Sequence, residues 1–538
     1  MNRLLRRATK RMSVSGAATL LIGISLFGQI LGFLRIKLIN ANFPAVGPQS
    51  TDAFFAAFKI PDFFFLTIAA GALGVAFIPY LSDKLEKNDR KGAWRLSSSL
   101  LNIMMMVMGV IALAIIIFAK PLIQHVAPGI NGEQLNNAVM IMRLISLNPL
   151  FFTISGVLMS IQQTIGRFFF YAVAPLFYNF CIIISAVVFS TVAPHDGGPG
   201  HLGIVGLGVG AAICAFIQLL IAFLGMWGTK FRYETMIRWE NKALRGVLRQ
   251  LPARSIDQGI DAINSIVETR FARQLGEGNI TYYENAYVIH TTPILLIGTA
   301  ISTAAFPRMT ERLSQGRPDL FRREFLKVLK AMIWISMPIL IVTYFARGYL
   351  ARIIFTRDSQ QIALILGFLC GAMFFRTIYQ ILSRYFYAHK DTVTPLIISL
   401  ITIALNIYLA FTLARPGVYN VAGLALAQTL SAMIEVVILL LIIIKRDRKL
   451  FSLKYAGDLM RILSVTGFAI VGTFVMISLF PLEANDTGVI TLGTKLTMIS
   501  AVTFSIYIIM SALFNIEEVK PVTERIKKLI LKPINIDW

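Results

Sequence analysis

Residues 28–79 read GQILGFLRIKLINANFPAVGPQSTDAFFAAFKIPDFFFLTIAAGALGVAFIP, and their reading decides the fold. Two apolar segments flank an uncharged loop that carries Pro44, Gly47 and Pro48. Both are long enough to cross a bilayer as helices. Yet Arg35 and Lys37 sit late in the first, and Asp52 and Lys59 early in the second. A charge at bilayer depth costs at least ~2.5 kcal/mol on insertion scales, so such side chains are expected to line a cavity rather than face lipid. Helical spacing puts Gly28, Gly32 and Arg35 on one face, and Asp52, Ala56 and Lys59 on another. The glycines permit close helix approach. The chain leaves one helix and enters the next through a short loop, so Arg35 and Asp52 are expected at similar depth, able to pair. The pattern implies a polar pocket inside a helical membrane transporter.

The rest of the 538-residue chain has the same character. Hydrophobic residues make up 56% and charged residues 15%, with a mean hydropathy of +0.70, which excludes a soluble domain of this length. Apolar runs of bilayer length recur at 14–41, 51–82, 96–119, 134–163, 168–193, 202–228, 243–274, 281–308, 324–346, 360–386, 392–414, 419–444, 457–480 and 489–514. The expected class is therefore an all-α polytopic membrane protein of about fourteen transmembrane helices. The first run is too long for a signal-peptide core and lacks a clear small-residue cleavage site, so it reads as a mature helix. Cys181, Cys214 and Cys370 all lie in apolar runs without metal or disulfide spacing and read as small core residues.

The net charge of +23 does not point to nucleic acid, because the basic residues fall in alternate loops. One set carries Lys84, Lys87, Arg90, Lys91 and Arg95, then Arg167, then Lys230, Arg232 and Arg238, then Arg312, Arg317, Arg322 and Arg323, then Lys390, then Lys445 to Lys449. The arm at 1–13 and the tail at 517–538 belong to the same side. The opposite loops NFPAVGPQS, VAPHDGGPGH and PLEANDTG are nearly bare. Positive charge marks the cytoplasmic side, which places both termini there, in the plasma membrane. Arg347, Arg352 and Arg357 break the rule on the outer side, with outer-leaflet headgroups as their only evident partners.

An internal repeat organises the spans. GALGVAFIPYLSDKL (71–85) parallels TAISTAAFPRMTERL (299–313), with Pro79 opposite Pro307. VGLGVGAAICAFIQLLIAFL (205–224) parallels AGLALAQTLSAMIEVVILLL (422–441). Six spans are thus duplicated with the same topology, about an axis along the membrane normal. The expected organisation is a basic arm 1–13, an N-terminal lobe 14–229, a C-terminal lobe 230–446, an appended helix pair 447–516 and a basic tail 517–538. Two lobes around a cleft suit alternating access.

FGQILGFLRIK, TDAFFAAFKIPDF, GALGVAFIPYLS and TYYENAYVIHTTP resemble the MurJ/MviN family of lipid II flippases, in the multidrug/oligosaccharidyl-lipid/polysaccharide exporter superfamily. The resemblance covers the whole chain, including the last two spans that this family adds. It implies movement of an undecaprenyl-pyrophosphate-linked disaccharide-peptide from the inner to the outer leaflet, in the service of peptidoglycan and cell-wall synthesis. It also implies a cationic cavity for the pyrophosphate and a groove by the last two spans for the lipid tail. Arg35 stands at the second arginine of the family's R-x-L-G-F-x-R pattern, and Gln29 replaces the first. Asp52 and Lys59 match its acidic and lysine positions. Phe65 and Leu66 stand where it has a basic pair, and Val288 lies near the place of an expected arginine.

Physical reasoning supports the same residues. A pyrophosphate needs donors, and guanidinium binds it in bidentate fashion. Arg35 and Lys59 are the expected substrate cations, Asp52 their counter-charge and Gln29 a neighbouring polar contact. The alternative for Arg35 and Lys37 is snorkelling to headgroups, and for Asp52 helix capping with Thr51. The seventh span, LPARSIDQGIDAINSIVETRFARQL, sets Asp257, Asp261, Asn264 and Glu268 on one stripe, with Arg254 a turn before. Acids along one buried face suit a coupling site, to which Asn406 of the eleventh span could add a ligand. Local ion pairs such as Arg254 with Asp257 are the alternative. Coupling to Na+, to H+ or to the membrane potential is open on this reading, and no metal site is assigned. Arg143, Arg376 and Arg384 occupy corresponding spans of the two lobes, and the lone His290 reads as structural.

The sequence holds no GxxxxGK[ST] loop, Cys/His cluster or nucleophile elbow, which argues against an enzyme, against a cofactor and against ATP as the direct energy source. Lipid II, membrane lipids and peptidoglycan-synthesis proteins are the expected partners. Two other functions fit the composition: a cation-coupled drug or polysaccharide-precursor exporter, and a non-transporting cell-wall scaffold.

Overall fold

The computed structural model describes residues 14–70, 76–192, 202–355, 357–486 and 488–531. All secondary structure among them is helical. The chain divides into two compact units, Met1–Thr281 and Tyr282–Trp538. The basic arm and most of the VAPHDGGPGH loop lie outside the described residues.

The first unit contains α1 (Val14–Asn42), α2 (Thr51–Phe64), α3 (Ile78–Glu86), α4 (Arg90–Val126), α5 (Gly132–Ile145), α6 (Asn148–Thr164), α7 (Phe169–Val192), α8 (Gly203–Gly225) and α9 (Lys242–Gln274). α7 packs along α8 and α1. A Cβ at Gly210 would stand 2.0 Å from the Ser185 hydroxyl, so only glycine permits the α7–α8 approach. Gly28 likewise faces Leu176 of α7 at 3.2 Å, whereas Gly32 meets nothing within 4 Å and is not a contact glycine. The segment before α9 runs back along α4. There Ser98 and Ser99 accept from the backbone of Glu234 and Arg238, and Arg95 pairs with Glu234 at 3.3 Å. α9 itself packs on α2 and α4. By contacts, therefore, the first unit extends well past the 229/230 limit read from the repeat.

In the second unit α10 (Asn279–Pro293, begun in the first) leads to α11 (Ala300–Ser314), α12 (Pro318–Phe345), α13 (Arg347–Ile354), α14 (Ser359–Ala388), α15 (Val393–Leu413) and α16 (Ala422–Arg446). α17 (Leu453–Leu479), α18 (Val489–Leu513) and α19 (Lys520–Leu531) follow. α12 packs on α14, and α14 and α15 both pack on α16. The first unit pairs α4 with α6, and α6 and α7 with α8, in the same order. The repeat is thus visible in the pairing. It is visible in the backbone too. A π-helical turn occupies Phe65–Ala70, just after Pro61, and another occupies Ile294–Thr299, just after Pro293. The repeat alignment sets these turns opposite each other to within one residue. Proline removes an intrahelical donor, and the wider turn reorganises the ladder that results.

Twelve helices among the described residues have the length and apolarity to cross a membrane, so this is an integral membrane protein. The fourteen expected spans exceed that number at the second and seventh. The second is divided into α2, a π turn and α3; the seventh, α9, carries too many charges along 254–273. The appended pair α17–α18 packs on α12, where Trp334 Nε1 donates to Ser511 and Tyr507 donates to the Trp334 carbonyl. Two of the three arginines that break the charge rule have protein partners. Arg352 donates to the Glu483 carbonyl at 2.6 Å, Arg347 to the Tyr344 carbonyl at 2.6 Å, and Tyr349 to the Phe480 carbonyl. Arg352 and Tyr349 thus tie α13 to the segment at 480–483.

Between α14 and α15, Asp391 accepts from the Thr394 backbone at 2.9 Å and pairs with Arg446 at 2.6 Å. Burial opposes its charge, yet these hydrogen bonds outweigh burial and hold the carboxyl down at about 2. A depressed carboxylate stabilises the fold above its unfolded pKa, near ~3.9. That contribution is lost as pH falls through about 2. Asp391→Ala is expected to cost about 1 kcal/mol. In thermal unfolding at pH 7 the variant should melt below wild type, and the difference should shrink toward pH 2.

Candidate functional site

The Asp52 carboxylate, in the first turn of α2, is fully buried. Its Oδ1 accepts from the Thr281 backbone N–H at 2.8 Å and the Thr281 hydroxyl at 2.7 Å. Its Oδ2 accepts from the Gly278 N–H at 2.8 Å and faces Arg273 Nη1 at 3.5 Å. Gly278 has φ +82°, a backbone state that favours glycine, and so can turn its N–H toward the carboxylate. Arg273, also buried, donates through Nη2 to Gln134 at 3.0 Å, to the Gly129 carbonyl at 3.2 Å and to Glu277 at 3.1 Å. Gln134 in turn donates to Ser50, the residue that caps α2. Asp52 is thus the centre of a latch that ties the start of α2 to the end of α9. Thr51 joins it through the Thr281 hydroxyl at 2.9 Å.

This overturns the expected pairing of Asp52 with Arg35. Arg35 reaches across to α7 and donates to Asn179 at 2.8 Å. Asp62, one turn beyond Lys59, lies within its electrostatic reach. Lys59 donates to Ser265 of α9 at 2.8 Å. Gln29 is half-buried on α1, and Leu66 and Val288 are apolar as the sequence requires. Asn179, Ser265, Arg273 and Asp62 were all missed in sequence. Asp62, in KIPDF, carried the one usable signal: an acid three residues after a lysine in an apolar run.

On α9, Glu268 is buried and accepts from Asn264 at 3.0 Å, whereas Asp261 is exposed. The stripe is real, but its acids do not share one environment. The side chains of Arg254 and Asp257 lie outside the described residues. Asn406 belongs to the second unit, buried on α15. Among the described residues no three His, Cys, Asp or Glu side chains converge as metal ligands would.

The second unit has its own charged centre. Glu435 of α16 is buried, accepts from Ser399 at 2.7 Å and faces Arg376 of α14 at 3.8 Å. Tyr379 and Ser399 share a hydrogen bond at 3.1 Å. Glu435 is the lone acid in AMIEVVILLL, a signal present in the sequence and overlooked there. Arg143 and Arg384 do not join such centres: the first donates to the Ile116 carbonyl, and the second reaches Thr303 and lies over the Phe306 ring. His290 is buried, with its ring 5.3 Å from that of Tyr287.

Residues 47–491 match the family model described as "Lipid II flippase MurJ". A "Probable lipid II flippase MurJ" of Borreliella burgdorferi is 26% identical over 87% of this chain and 88% of its own length. Another of Buchnera aphidicola is 26% identical over 90% and 93%. Among solved structures, "Lipid II flippase MurJ, inward closed conformation" superposes with a TM-score of 0.75 at 21% identity, covering 92% of this chain and 98% of that one. An inward-facing multidrug resistance MATE family transporter gives 0.65 at 14% identity, covering 78% and 95%. These structural likenesses speak to the fold.

Removing the Asp52 carboxylate would leave the backbone N–H groups of Gly278 and Thr281 without this acceptor, while Arg273 would keep Glu277, Gln134 and the Gly129 carbonyl. Asp52→Ala is expected to cost about 1–3 kcal/mol, the cost of leaving buried donors unsatisfied. Thermal unfolding of the detergent-solubilised protein checks this. A midpoint unchanged from wild type would remove the latch from the account.

Proposed function

The chain belongs to the MurJ family of lipid II flippases, and on that premise we propose that it carries lipid II from the inner to the outer leaflet of the bacterial plasma membrane by alternating access. The observation that carries the reading is the family match across 47–491, joined to two membrane-embedded cations fastened by neutral oxygens. Asn179 and Ser265, both neutral, hold Arg35 and Lys59 in position. A guanidinium so held offers parallel N–H donors to one phosphate, and an ammonium offers a second point of attachment. Gln29 adds a polar contact on the same helix as Arg35. Asp62 stabilises Arg35 while no headgroup is present, and the Asp52 latch sets the start of α2, hence the position of Lys59.

The cycle needs a source of direction. In our reading the buried pairs Asn264–Glu268 and Arg376–Glu435 respond to a coupling ion or to the membrane potential, since charges at such depth are rarely retained without a role. Asp257, Asp261 and Asn406 are further candidates for that coupling. The loop charges support cytoplasmic termini, and the undecaprenyl chain would stay in the bilayer while the headgroup crosses. Proteins of peptidoglycan synthesis are the partners this placement suggests.

The test is headgroup translocation of lipid II in proteoliposomes, comparing wild type with Arg35→Ala and Lys59→Ala. Wild type should flip, and each variant should lose tenfold or more, the effect of about 1.4 kcal/mol or greater per lost charged contact. A folded wild type that fails to flip under an imposed ion gradient or potential would refute the reading and favour an exporter of another cargo.

A further inference from the structure

A groove of about 780 Å³ opens in the second unit where α12, the start of α17 and the entry to α19 meet. It involves none of the residues assigned to transport. Its rim and its floor have opposite characters. Arg323, Lys327 and Lys454 line the rim and are exposed. The floor holds Lys330, buried, with Asp458 at 3.0 Å, Glu518 at 3.2 Å and Glu517 at 3.7 Å. Three carboxylates thus converge on one ammonium. The floor is also incomplete as a hydrogen-bonded structure. Glu518 Oε2 and the Tyr455 hydroxyl are both buried in the groove without a partner. The Tyr455 side chain is 7% exposed and that of Glu518 8%. Buried polar atoms normally find partners, so two orphans lining one cavity call for a ligand that donates to them.

We propose that this groove binds a phospholipid whose headgroup carries a primary amine. The ammonium would donate to Glu518 Oε2 and Tyr455, adding a positive charge where acids are in excess. The phosphate would meet the rim cations. A trimethylated amine has no N–H to give the orphans, and a glycerol headgroup has no cation for the floor. The lipid, rather than a soluble phosphoamine, fits the remaining walls. The groove continues along Ala331, Trp334 and Ile335 of α12, opposite Val522. These apolar walls are where the acyl chains would lie. The groove's size is that of a small-molecule site.

The experiment is native mass spectrometry of the full-length protein in detergent, titrated with short-chain phosphatidylethanolamine, phosphatidylcholine and phosphatidylglycerol. Wild type should prefer the ethanolamine lipid by about tenfold. Glu518→Gln should abolish that preference. Tyr455→Phe, which removes only a hydroxyl and leaves the Lys330 cluster intact, should reduce it about threefold and serves if Glu518→Gln does not fold. Equal binding of the three lipids, or a preference unchanged in the variants that fold, would overturn the site. Phosphoethanolamine without acyl chains competing as well as the lipid would overturn the assignment to a membrane ligand.

Discussion

The buried carboxylate of Asp52 fixes the geometry on which the first unit depends. An isolated carboxylate in a protein interior is costly, and it persists here because the Thr281 and Gly278 donors and Arg273 compensate it. The compensation comes from residues more than two hundred positions away in sequence, at the far end of α9. One ion-centred network therefore sets where α2 begins relative to α9. Lys59 lies two turns further along α2 and finds Ser265 two turns back along α9. The position of Lys59, the cation proposed for transport, follows from a structural network.

The same logic recurs in the second unit with different residues. Glu435 is buried against Ser399 and Arg376, and Lys330 is surrounded by acids from α17 and the tail. Asp52, Glu435 and Lys330 each sit in a cluster built by side chains from more than one element. The paired π turns after Pro61 and Pro293 show that the duplicated sequence preserved a backbone irregularity as well as a hydrophobic pattern. Such turns release a helix from strict α geometry at matching points of the two copies.

Much of this was legible in the sequence. Span length and hydrophobicity gave twelve of the helices, since a bilayer core admits few alternatives. The alignment of GALGVAFIP with TAISTAAFP revealed the repeat, and TDAFFAAFK with the surrounding motifs pointed to the family. What failed was pairing. Arg35 and Asp52 are close in sequence and were expected to meet, yet Arg35 turns to Asn179 and Asp52 to Arg273. A loop length constrains depth but not the direction in which a helix presents a side chain. Those partners lie 144 and 221 residues away, beyond the reach of any local pattern. The outer arginines misled for a similar reason: charge counting sees a loop, whereas Arg352 is bonded to the Glu483 carbonyl of another segment.

The central claim is that this chain moves lipid II across the membrane. The most direct measurement is made in bacterial cells whose only flippase is this protein, by adding an external enzyme that cleaves the lipid pyrophosphate and counting the headgroups released. The account predicts that lipid II is cleaved while the protein is present and protected once it is depleted. Lipid II that stays protected in cells making the folded protein would contradict it.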